Sequence, residues 1–115
     1  MNLIEIYNML RDTFVGAIPI SGIDAINQDG LYLAFGGLAA DNMLMDKCSY
    51  SIVLAVNIAN GDVGSTVERL QEIRKKITEI GIRDQQNYFR ELKSAMIEGQ
   101  MLYLYAFFLE LEMEL

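Results

Sequence analysis

The sequence holds no histidine, no tryptophan, one cysteine and one proline in 115 residues. Each shortage removes a class of function. Without histidine there is no side chain that ordinarily exchanges a proton near pH 7, and the usual serine or cysteine nucleophile with a histidine base cannot be completed. One cysteine builds neither a disulfide framework nor a thiolate-rich metal site within one chain. Cys48 therefore reads as a small buried hydrophobe rather than a nucleophile. Long apolar runs are also missing. The longest stretch free of charge, Cys48 to Gly61, has 14 residues, against the about 18 or more of a membrane-spanning helix. The first residues, Met1 to Tyr7, lack a basic region followed by a long apolar one, because Glu5 interrupts them. That is not the pattern of a signal peptide, and a reducing cytoplasm is the expected place of synthesis, with no membrane partner.

Positive charge is scarce as well. Nine Lys and Arg face sixteen Asp and Glu, a formal net charge of −7. Proteins that hold nucleic acid for affinity do so by neutralising phosphates, so this balance argues against a DNA-gripping role. The charge is uneven: residues 1–64 hold two basic and seven acidic residues, residues 65–93 seven and five, and residues 94–115 none and four. The single basic run, Arg74-Lys75-Lys76, shares its segment with Glu68, Glu72 and Glu79 and reads as a solvated helix face.

What the chain has in quantity is apolar residues, 52% of it, which excludes a disordered acidic tail. A fold of this size buries roughly 65% of its unfolded surface, and one domain spanning residues 1–115 is expected. Leu3, Ile6, Tyr7, Leu10 and Phe14 form the stripe of an amphipathic helix from residue 2 to about 15, ended by Pro19 and Ser21-Gly22. After the turn Asn27-Gln28-Asp29-Gly30, a short strand is expected over Leu31 to Phe35, broken by Gly36-Gly37. The clearest strand is Cys48 to about Ile58. Cys48, Tyr50, Ile52, Leu54, Val56 and Ile58 share one large apolar face, whereas Ser49, Ser51, Val53 and Ala55 make the other face small enough for close cover.

Ser65-Thr66-Val67-Glu68 reads as a capping box that starts a second helix. Its buried stripe is Val67, Leu70, Ile73, Ile77 and Ile80, with Gly81 as a C-terminal stop. Two extended runs follow, Tyr88 to Glu98 and Met101 to Leu115, joined at Gly99-Gln100 as a hairpin. The second keeps Tyr103, Tyr105, Phe107, Leu109, Leu111 and Met113 on one face. Its other face passes from Leu102, Leu104, Ala106 and Phe108 to Glu110, Glu112 and Glu114. The expected class is α+β: a mostly antiparallel sheet with an N-terminal and a central helix packed against it and a long C-terminal hairpin.

Candidate chemistry is thin. Glu110, Glu112 and Glu114 share a strand face, but carboxylates two residues apart are about 6.5 to 7 Å from each other, too far to share one ion well, and a solvated or partner-facing edge is the simpler reading. Asn57 to Ser65 has glycines before a helix without the order that cradles phosphate. A carboxylate pair for glycoside hydrolysis is permitted by sixteen acids but has no tryptophan platform beside it. No catalytic residue, metal or cofactor is therefore expected. Met43, Leu44 and Met45 lie in what reads as a loop, Leu38 to Asp46. They are either an adaptable contact surface or a loop folded back on the core. Six tyrosines and five phenylalanines, with the last strand apolar on both faces for half its length, exceed the needs of one small core. Burial in an oligomer, through Tyr103 and Tyr105 among others, is the natural outlet.

From Tyr50-Ser51-Ile52-Val53-Leu54-Ala55-Val56-Asn57, through the helix from Val67 to Ile80, to Tyr103-Leu104-Tyr105-Ala106-Phe107-Phe108-Leu109-Glu110-Leu111-Glu112-Met113, the chain resembles the small tail terminator, or tail completion, proteins of tailed bacteriophages and phage-derived contractile particles. The likeness is one of element order: a leading helix, a long strand ending in a polar turn, a capped helix and a closing hairpin finished by alternating aliphatics and glutamates. The resemblance implies a virion structural protein. It would form a ring, typically a homohexamer, that caps the head-proximal end of the tail tube, stops its polymerisation and meets the neck or connector protein. In a contractile tail it would also touch the sheath protein. DNA would pass through the bore without being held, and Glu110, Glu112 and Glu114 are the first candidates to line it. Loops such as Gly37 to Lys47 would dock on neighbours. Two other classes stay open: a different neck, head-tail joining or baseplate part, and a small carboxylate-based enzyme.

Overall fold

A computed structural model of the chain describes residues 2–40, 45–57, 62–84, 89–98 and 102–114, with the backbone alone for 81–84, 89–98 and 114. The elements run α1 (Leu3–Thr13), β1 (Ile18–Ile20), a 3₁₀ turn (Ile23–Ala25), β2 (Gly30–Ala40), β3 (Met45–Asn57), α2 (Val63–Asp84), β4 (Phe89–Glu98) and β5 (Leu102–Glu114). The five strands form one sheet in the order β1-β2-β3-β5-β4. All neighbours are antiparallel except β1 with β2. The α+β class holds, with the C-terminal hairpin paired as expected.

The first helix starts on a capping box at Asn2. Its Oδ1 accepts from the Glu5 N–H at 3.0 Å, and its own N–H donates to Glu5 Oε1 at 3.2 Å. It ends at Thr13, before the positive-φ Gly16 at 89°. Pro19 does not merely break the helix. It lies within the three-residue β1, an edge strand of the kind that tolerates a missing N–H.

Gly36-Gly37 does not end β2 either. The pair forms a bulge between Phe35 and Gly37, and pairing with β3 resumes as far as Ala40 opposite Asp46. Gly37 supplies a φ of 137° there, and Gly36 lies so close to Ser49 that a Cβ would crowd its side chain and carbonyl oxygen at 3.1 Å. The expected loop from Leu38 to Asp46 is thus corrected. Leu38–Ala40 and Met45–Asp46 are strand, and β2 with β3 makes one long ribbon.

The second helix begins four residues before the expected Val67, and the capping box at Ser65 is corrected with it. Asp62 caps the helix: the Gly64 N–H donates to its Oδ1 at 3.1 Å and the Thr66 N–H to its carbonyl at 3.0 Å. The helix also runs through Gly81 to Asp84. One interior glycine costs only about 1 kcal/mol against alanine, too little to stop a helix already docked through Ile73, Ile77 and Ile80.

The faces follow the alternation read from the sequence. Cys48, Tyr50, Ile52, Leu54 and Val56 of β3 join Phe107, Leu109, Leu111 and Met113 of β5 beneath Ile6, Leu10 and Phe14 of α1 and the three isoleucines of α2. On the opposite face, Tyr32, Val53, Ala55, Leu102, Leu104 and Ala106 form a second cluster. Ile20, Ile23 and Ile26 cover it, because the chain passes round the β1 edge and tucks the 3₁₀ turn beneath the sheet. The Tyr32 hydroxyl donates to the Gln28 carbonyl at 2.8 Å and ties the segment between that turn and β2 to the strand. The small face of β3 is therefore closely covered at one end.

Candidate functional site

Among the described residues, three surfaces bear on the expected contact residues. The first is the far half of the face opposite the helices, beyond the cover of the 3₁₀ turn. Here Gly36, Ser49, Ser51, Phe108 and Glu110 line an open depression of about 270 Å³. Lys47 Nζ lies 3.1 Å from Glu110 Oε1 at its rim. Glu112 follows on the same face, the register partner of Lys47, and β4 places Glu91 opposite Glu110 in the ladder. Of the three acids singled out in the sequence, Glu110 is thus ion-paired, Glu112 is half-buried, and Glu114 is the register partner of Met45. Among the described residues no group of three or more carboxylate, thiol or imidazole side chains is placed to hold a metal ion.

The second surface lies at the N-terminal end of α2. Val63, Val67 and Leu70 on the helix and Val56, Tyr103 and Tyr105 on the sheet line a groove of about 180 Å³. The structure therefore brings the two expected interface tyrosines together with a helix edge on which the sequence pattern singled out Val67 and Leu70, as core residues, but not Val63. Val67 was expected in the buried stripe but is 55% exposed, and Val63 is 77% exposed. At 100° per residue Val67 lies about 80° round the helix from Ile77, at the margin of the buried stripe. The early start of the helix then adds Val63 beside it. Arg74, two turns beyond Val67 along that same edge, donates from Nη1 to Thr78 Oγ1 at 2.9 Å.

The third surface is on the β2–β3 ribbon. Phe35 and Leu38, 42% and 55% exposed, stand opposite Tyr50 and Cys48 in the register and so share the helix-bearing face. Phe35 stacks on Tyr50 with ring centroids 5.3 Å apart. Asp46, partner of Ala40, lies on that face too, beyond Leu38. Met43 and Leu44, proposed from the sequence as contact residues, lie outside the described residues. Met45 is the first residue of β3 and half-buried, so it is not a loop residue.

Beneath this third surface, burial pushes the Cys48 thiol up to about 11 and the Tyr50 phenol up to about 12. Cys48 is fully buried. A thiol held protonated in that setting is not a nucleophile at neutral pH. No helix among the described residues is long and apolar enough to cross a membrane. No known protein-family model matches the chain, and no curated protein matches it significantly.

Proposed function

We propose that the protein is a ring-forming structural subunit of a phage or phage-like tail, a terminator that caps the head-proximal end of the tail tube and joins it to the neck or to the last sheath ring. The observation that carries this reading is a pair of unlike apolar patches on one chain: Val63 and Val67 with Tyr103 and Tyr105, and Phe35 with Leu38. Eight residues of β3 separate Val56 at the first from Cys48 at the second, about 26 Å along the strand. A surface that pairs with itself makes a closed dimer, whereas two different surfaces far apart make head-to-tail contacts, which form a ring when the rotation between copies closes and a filament when it does not.

The remaining surface suits the same role. The open half of the other face carries Glu110 and Glu112, and an acidic lining repels phosphate and lets DNA pass. The reading calls for no cofactor or catalytic residue. Its partners are further copies of the chain, tube protein, neck or connector protein, and sheath protein in a contractile tail.

The test is a tube polymerisation assay. Adding the purified chain to growing tube protein of the same particle should arrest elongation, with electron microscopy showing a ring at one tube end. Uncapped tubes of undiminished length, together with a monomeric mass at high concentration, would overturn the assignment.

A further inference from the structure

The two apolar patches are similar in spacing, and they differ in the sign of the charge beside them. On the ribbon, Phe35 and Leu38 stand opposite Tyr50 and Cys48, and so are about 7 Å apart along the strand. Asp46 lies one strand over and two residues beyond Cys48, about 8 Å from Leu38. On α2, Val63 and Val67 are one turn apart, about 6 Å along the axis, and Arg74 lies about 10 Å further on. All three helix residues fall within about 40° of one edge at 100° per residue. No ion pair joins Arg74 or Asp46 to another described residue.

We infer that the edge of α2 formed by Val63, Val67 and Arg74 receives the Phe35, Leu38 and Asp46 face of the β2–β3 ribbon from a second copy of this chain, with Arg74 of one copy pairing Asp46 of the next. The inference rests on the ring reading above and names its contact. Phe35 and Leu38 meet the valines and the groove floor of Tyr103 and Tyr105, removing the most exposed apolar side chains of both patches from water. The ion pair fixes the order of the contact, because a ribbon docked in reverse sets Asp46 near Val63 and leaves Arg74 unpaired.

The two charges can be tested separately and then together. Arg74→Glu places two acids at every contact of its own assembly, and Asp46→Lys places two bases there. In an equimolar mixture that alternates the two variants every contact regains opposite charges. At one contact the introduced acid meets the introduced base, and at the next the retained Arg74 meets the retained Asp46. Light scattering coupled to size exclusion should show each variant alone requiring roughly tenfold more protein to assemble than the unaltered chain. The mixture should recover the original mass, in rings that alternate the two chains. Circular dichroism melts confirm that each variant is folded. Single variants that assemble as well as the original, or a mixture no better than its parts, overturn this contact and leave the ring reading standing. An unaltered chain that stays monomeric at every concentration overturns both.

Discussion

Lys47 Nζ lies 3.1 Å from Glu110 Oε1, and the pair is diagonal: the register partner of Lys47 is Glu112, and that of Glu110 is Ser49. Both side chains are about a third exposed, at 31% and 27%, so water screens the attraction only in part. A double-mutant cycle with Lys47→Met and Glu110→Gln, read by urea unfolding, should return a coupling of about 1 kcal/mol at low salt. It should shrink toward zero in about 1 M salt, where the screening length falls to about 3 Å. Coupling indifferent to salt would mean that the pair is held by packing rather than by charge.

The same pairing offsets the charge of Glu110 and so weakens it as a candidate bore-lining acid in the proposed ring. Replacing Glu110, Glu112 and Glu114 together with lysine changes the net charge by six units in each copy. The assembled variant should retain duplex DNA on a filter at low salt, whereas the original chain should not. Equal retention by both assemblies would remove these acids from the bore.

Stability should fall in alkali through Cys48 and Tyr50. Burial is the main cause of both shifts, with the negative forms of Cys48 and Tyr7 adding to that of Tyr50. The unfolded chain loses these protons near the ordinary 9.0 and 10.0, the folded one near 11 and 12. Between those limits the folded state binds more protons, so the stabilisation is complete below pH 9 and is lost as pH rises through 11 and 12. Unfolding midpoints should therefore drop steeply above pH 9, and Cys48→Ala should delay the onset to near pH 10. At about pH 8, below the ordinary thiol range, a thiol reagent should label Cys48 only after denaturant is added; rapid labelling of the native chain would contradict its burial.

How far the residues announced this structure depended on whether their signal was local or relational. Period two was plain in Cys48 to Val56 and in Tyr103 to Met113, since every second side chain there meets the same helices. Gly36-Gly37 misled because two glycines read as a break, although a bulge needs them as well. Pro19 misled in the same way, because only the finished sheet shows that its segment is an outer strand. Val67 satisfied the helical spacing yet stays exposed, since the period locates the stripe without fixing its width. The site was least legible: Val63 and Phe35 are ordinary apolar residues until the fold sets one beside Tyr103 and the other on a ribbon.

Gly36 and Gly37 should respond differently to the same change. A Cβ on Gly36 would lie 3.1 Å from both the Cβ and the carbonyl oxygen of Ser49. Gly36→Ala should thus cost about 1–2 kcal/mol through crowding. Adding Ser49→Gly relieves the side-chain half of that crowding and should restore part of the loss. Gly37 has open space around it but a φ of 137°, so Gly37→Ala should cost about 1–3 kcal/mol through backbone strain. Ser49→Gly should not rescue it. Denaturant midpoints of the four variants check this, and equal rescue of both alanines would show that the strain is shared across the bulge.

Ile77 and Val67 lie on one helix with opposite fates. Ile77 is 2% exposed and packs in the main core, so Ile77→Ala should cost about 2–5 kcal/mol through lost burial and an unfilled cavity. Val67, at 55% exposure, has little burial to lose in an isolated chain, and alanine is the better helix former by up to about 0.7 kcal/mol. Val67→Ala should therefore leave the dilute chain as stable as before or slightly more so. In the proposed ring it should nevertheless weaken assembly, because there the valine methyls would meet a neighbour rather than the core. Urea melts below the assembly concentration, set beside scattering mass above it, separate the two effects. Were Val67→Ala to destabilise the dilute chain as Ile77→Ala does, the groove would belong to the core and not to an interface.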